Sequence, residues 1–130
     1  MIALDTNVVV RFIVDDDRTQ SQRARALIAA NPVLLPATVV LETEWVLRSA
    51  YKIVPTEIHR ALTAFCGLRN VTVGEPAVVA TALRLFGRGL DLADAMHIAA
   101  ATAARQFATF DRSLRKAATR VRAPVVVVEP

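Results

Sequence analysis

The stretch MIALDTNVVV (residues 1–10) sets Asp5 directly after a short apolar run, adds Thr6 and Asn7, and returns to valines. A carboxylate at the end of a buried apolar run is costly unless something meets its charge. MIAL (1–4) reads as a strand and residues 7–14 as a short helix. Asp5 therefore stands at the carboxyl end of a strand, where parallel α/β folds bind their ligands.

Working outward, the same alternation repeats along the chain. VLL (33–35), VTV (71–73), FATF (107–110) and VVVV (125–128) have the length and β-branched content of strands buried on both faces of a parallel sheet. Helical patterns lie between them. Residues 19–30 end at the stop signal Asn31-Pro32, and Thr38 is a candidate cap for 38–50. Thr56 opens a capping-box pattern over 56–66, with His59 where Glu or Gln is usual. Pro76 starts a helix ending near Gly87, Asp91 caps one through Ala104, and 112–119 form the last. Strands alternating with helices predict an α/β sandwich with a mostly parallel sheet.

With 130 residues the chain is expected to be a single domain, 1–130. Hydrophobic residues make up 54% of it, and with few aromatics the core should rest on Val, Leu, Ile and Ala. No apolar stretch approaches the ~20 residues of a membrane span, so no membrane partner is expected. No basic region precedes an apolar one at the N-terminus, which argues against a secretory signal. The lone Cys66 excludes an intramolecular disulfide and a cysteine-based zinc site, and is expected to be a buried thiol. A cytoplasmic location fits these features. Fourteen of the sixteen basic residues are Arg, in a chain of net charge +4. That balance permits a nucleic-acid partner without requiring one.

Asp5 has counterparts. FATFD ends at Asp111, DLADAMHIAAA carries Asp91 and Asp94, and ATVVLETEWVLRSA carries Glu42 one turn into a helix after the second strand. Each has a structural explanation: Asp5 and Asp111 as N-caps, Asp91 and Asp94 as an acidic capping-box variant. Glu42 resists it most, because Val39, Val40, Leu41, Trp45 and Val46 around it are expected to hold it against the core. If strands one, two and four are neighbours, these acids meet at one sheet edge. Carboxylates so gathered repel each other and their pKa values rise unless a cation joins them. Mg²⁺ or Mn²⁺, hard ions that prefer oxygen ligands, would answer that charge. Such an ion can activate a water and clamp a phosphate oxygen.

These motifs together resemble the PIN-domain ribonucleases, and within them the VapC-like toxins of bacterial toxin–antitoxin pairs. IALDTNVVVRFI resembles the family's opening strand and helix, VVLETEWVLRSAYK its second motif, DLADAMHIAAA its third and ATFDRSL its fourth. The resemblance implies a PIN-like three-layer sandwich with a four- or five-stranded, mostly parallel sheet flanked by helices. It implies Mg²⁺- or Mn²⁺-dependent cleavage of RNA, a homodimer, and a cognate antitoxin that blocks the site. Asp5, Glu42, Asp94 and Asp111 would then be the catalytic, metal-holding acids. Asn7, Thr109 and Asp91 would orient carboxylates or waters around them.

Other residues are given plainer roles. Asp15, Asp16 and Asp17 read as a solvated loop, His59 as a surface residue, and His97 as helix packing near the sheet edge. Glu44 falls on a different helical face from Glu42, and Trp45 is assigned to the core or to a partner contact. Arg11, Arg48 and Arg112 lie near the motifs and are the arginines expected to meet phosphate. Two rival classes remain. A receiver-type or dehalogenase-type phosphoryl-transfer domain also places Asp after its first strand, but wants a second acid beside it and a late Lys at a strand end. A PIN-like module without activity would act through partners alone.

Overall fold

A computed structural model describes residues 1–130. The chain divides into two compact units, Met1–Pro76 and Ala77–Pro130, each with its own parallel ladder.

The first unit runs β1 (Ile2–Ala3), α1 (Thr6–Ile13), α2 (Arg18–Ala30), β2 (Val33–Leu35), α3 (Ala37–Ser49), α4 (Pro55–Cys66) and β3 (Val71–Val73). Its strands pair in the order β1-β2-β3, with Ile2 opposite Val33 and Val33 opposite Val71. Val33 and Leu35 of β2 are fully buried, whereas β1 is exposed and β3 partly so. The expectation of strands buried on both faces holds for the middle strand alone, which has a neighbour on either side.

Side chains close the helix ends that the sequence marked. Asn31 Nδ2 donates to Leu27 O at 2.8 Å, and Asn70 Nδ2 donates to Ile28 O and Ala29 O at 3.0 and 3.2 Å. These satisfy carbonyls that the last turn of α2 cannot pair internally. Two caps differ from expectation. Pro36 instead of Thr38 precedes α3, and Val54 with Pro55 opens α4 instead of Thr56. Proline suits the first helical position because its φ is already set and it lacks the N–H that would go unpaired. Phe12 of α1 meets Phe65 of α4 edge-on, with centroids 5.1 Å apart.

In the second unit α5 (Pro76–Gly87) leads to α6 (Leu92–Ala100), β4 (Gln106–Ala108), α7 (Arg112–Arg120) and β5 (Val126–Val128). β4 and β5 are parallel, with Phe107 opposite Val127. The proposed neighbours one and two do pair, while β4 takes β5 as its partner. α6 stops at Ala100 and does not reach Ala104, because Ala101 leaves helical geometry and its N–H turns to Ile98 O at 3.1 Å. Gly89, at φ +102, makes the turn into α6. There Arg120 Nη1 donates to Arg88 O and Arg88 Nη1 to Val121 O, both at 3.0 Å. No helix of the chain is long and apolar enough to cross a membrane.

Candidate active site

Asp5 follows β1 and is the N-cap of α1, its Oδ1 accepting from Thr6 N at 2.7 Å. The capping role foreseen as the plain reading is thus real, and it leaves Oδ2 uncommitted. Glu42 of α3 lines the same cavity of about 370 Å³, together with Thr6, Asn7, Arg11 and Tyr51. The Thr6 hydroxyl is buried there without a hydrogen-bond partner. Buried polar atoms are almost always paired, and Thr43 Oγ1 of α3 is the other buried hydroxyl left unpaired.

Glu42 is exposed, contrary to the packing expected of it. The buried stripe of α3 is Val40, Thr43, Glu44 and Leu47, the spacing of one helix face. Glu44, only 2% exposed, is the glutamate held in the interior. It accepts from Arg48 Nε at 3.1 Å, which occupies that arginine with a structural partner. Trp45 is 58% exposed and does not belong to the core.

Arg11 is fixed on several sides. Its Nε donates to Gln20 Oε1 at 2.7 Å, and its Nη1 donates to Asp16 Oδ1 at 2.8 Å and to Tyr51 Oη at 2.9 Å. Tyr51 in turn donates to Asp16 Oδ2 at 2.8 Å. The Tyr51 hydrogen bond, aided by the Arg11 charge, holds the Asp16 carboxyl below the usual carboxylate range. The hydrogen bond that Arg11 donates to Tyr51, and the Asp16 charge, hold Arg11 more firmly protonated. Asp16 is exposed in the loop before α2, as expected, but is engaged there by Arg11 and Tyr51, and Asp17 caps α2 by accepting from Gln20 N at 3.0 Å. Sequence reasoning passed over Tyr51, whose only signal was being the chain's single tyrosine inside the second motif.

The second unit gathers its own acids. Asp91 Oδ2 accepts from Asp94 N at 3.1 Å as the cap of α6, and Asp111 Oδ1 accepts from Leu114 N at 3.0 Å as the cap of α7. Thr109 Oγ1 accepts from Asp111 N at 3.1 Å and so fixes the turn that presents this aspartate. Burial, then the charges of Asp91 and Asp111, push the Asp94 carboxyl above its ordinary pKa, with His97 acting the other way. His97 is exposed and His59 half-buried. Burial also raises the thiol of half-buried Cys66. Arg112 is exposed at the start of α7. Lys116 lies within α7, away from the strand end that a phosphoryl-transfer domain would require.

The donor chemistry fits a hard divalent ion. Asp5 and Glu42 offer carboxylate oxygens, free of any salt bridge, beside an unpartnered hydroxyl. In neither unit do three acidic, His or Cys side chains close on one point at ligating distance. Mg²⁺ tolerates few protein ligands because it keeps several of its waters.

Parallel strands flanked by helices, with acids following strands β1 and β4, define an α/β domain whose ligands bind beyond the carboxyl ends of its strands. The PIN domain family model matches residues 2–120, and the chain belongs to that family. PIN domains are generally nucleases and typically use divalent metals. No curated protein matches the chain.

Proposed function

We propose that this chain, as one PIN domain over 1–130, is a Mg²⁺- or Mn²⁺-dependent endoribonuclease and the VapC-like toxin of a toxin–antitoxin pair. It works in the cytoplasm as a homodimer and is silenced by a cognate antitoxin. The observation that carries the nuclease reading is the Asp5–Glu42 cavity, with an orphaned hydroxyl and a fixed arginine, in a member of the PIN family. The family motifs support the toxin assignment, and the arginine-rich net charge of +4 suits RNA.

By the family motifs, Asp5, Glu42, Asp94 and Asp111 are the carboxylates that would hold the ion. When bound, it supplies positive charge that acidifies a water and screens the phosphate. Arg11, already aligned by Asp16 and Tyr51, grips a phosphate oxygen without first losing side-chain freedom. Asn7 orients water beside Asp5, while Thr109 and Asp91 steady Asp111 and Asp94 through their backbones. In the proposed reaction a water oxygen bonds to phosphorus and loses a proton to solvent, while the bond from phosphorus to the 3′ oxygen breaks and that oxygen takes a proton from solvent. The products are a 5′-phosphate and a 3′-hydroxyl.

Purified protein incubated with structured RNA tests this directly. Cleavage with Mn²⁺, its absence with EDTA, and new 5′-phosphate ends are expected. A 2′,3′-cyclic phosphate product, or cleavage unchanged in Asp5→Asn, would contradict the mechanism.

A further inference from the structure

Between α1 and α2 lies a second cavity, of about 500 Å³, that shares Asn7 and Arg11 with the acid-lined one. We propose that it is a subsite for one nucleotide of single-stranded RNA, adjacent to the phosphate that is cut. The inference rests on the nuclease reading and adds to it where the strand lies.

The wall chemistry is that of a nucleotide pocket. Its volume is in the range of small-ligand sites. Arg23 of α2 lines it, is exposed, and takes part in none of the chain's salt bridges. Arg11 spends Nε and Nη1 on Gln20, Asp16 and Tyr51, leaving Nη2 without a protein partner. Two guanidinium groups thus face one cavity, and no acid lines it. Guanidinium forks match phosphate oxygens in pairs. Val8 and Leu27 offer an apolar wall for a base or ribose. The Asn7 amide is unengaged, and the Gln20 amide nitrogen remains free while its oxygen accepts from Arg11. Both can donate to a base edge.

Contiguity favours RNA over an acidic peptide. A strand whose phosphate sits by Asp5 and Glu42 must place its neighbouring phosphate and base nearby, and the next cavity past Arg11 is this one. The carboxylates of the first cavity repel a polyanion until a metal arrives. Arg23 gives the strand a foothold that needs none.

The test uses the intact chain, EDTA to prevent cleavage, and fluorescence anisotropy with a labelled single-stranded oligoribonucleotide. Arg23→Gln should weaken binding by about 5–10-fold and lower the slope of log Kd against log salt by about 1. Arg84→Gln on α5, an exposed arginine of the other unit, should stay within about 2-fold of wild type. An Arg23→Gln chain that binds RNA with unchanged Kd and unchanged slope would overturn the proposal. So would a wild-type chain that ignores RNA yet binds a poly-glutamate peptide through Arg23. The nuclease reading fails separately. Arg23-dependent binding by a wild-type chain that never cleaves with Mn²⁺ would retain the subsite and remove the catalysis.

Discussion

Asp5 and Glu42 share their cavity with a guanidinium already in place, whereas Asp94 is buried enough to feel the charges of Asp91 and Asp111, with His97 as the counterweight. In the first region the protein carries its own cation, locked by Asp16, Tyr51 and Gln20. Such a cation orients an anion but cannot acidify water as a divalent ion does. In the second region burial, and then the charges of Asp91 and Asp111, push Asp94 toward its neutral form. The first region sets a fixed guanidinium beside its acids, and the second leaves the charge of Asp94 disfavoured.

The largest expected effect tests what seats the first region. Phe65→Ala removes a buried ring and the edge contact to Phe12 of α1. Urea unfolding should show a loss of about 3–5 kcal/mol. Cleavage comes next. Asp5→Asn and Asp94→Asn should each slow it by about 100-fold or more, close to 2.7 kcal/mol of barrier. If Asp94→Asn cleaves as well as wild type, the second region is no metal site and the contrast collapses.

Glu44→Gln separates the buried glutamate from the exposed one. It deprives Arg48 of a charged partner in the interior and should cost about 1–2 kcal/mol of stability. Glu42→Gln should leave stability nearly unchanged while impairing cleavage. Tyr51→Phe should raise KM by about 3–10-fold with a smaller change in kcat, since it loosens Arg11 without touching a carboxylate ligand.

The smallest effect has the most telling sign. Because the folded-state pKa of Asp94 is raised, its charge costs stability above that pKa, and the cost disappears as pH falls below the unfolded value. In chelator near neutral pH, Asp94→Asn should therefore be more stable than wild type, by less than about 1 kcal/mol given partial exposure. Acidification should close the gap, and Mn²⁺ should reverse it.

Much of this was legible in the sequence, for physical reasons. Short β-branched runs alternating with helical patterns specified the parallel α/β class, and Asn31-Pro32 and Pro76 marked helix limits that the structure keeps. Aspartates at strand and helix starts were visible because capping and active-site geometry use the same positions. The phase of α3 was misread. Val39, Leu41, Trp45 and Val46 make that helix apolar nearly all round, which hid the Val40–Thr43–Glu44–Leu47 face and exchanged the roles of the two glutamates. The Arg11–Asp16–Tyr51 cluster was out of reach, because Tyr51 meets Arg11 across 40 positions of sequence and no local rule pairs them. How β4 pairs was equally unreadable from a three-residue strand with no distinguishing pattern.

The proposal beneath all of this is that Asp5 and Asp94 are each needed for the chain to take up a divalent ion. Calorimetric titration of the intact chain with Mn²⁺ tests it most directly. Saturable uptake by wild type, weakened at least about 10-fold in both Asp5→Asn and Asp94→Asn, is the predicted result. Wild-type uptake that either substitution leaves untouched, or no uptake at all, would contradict it.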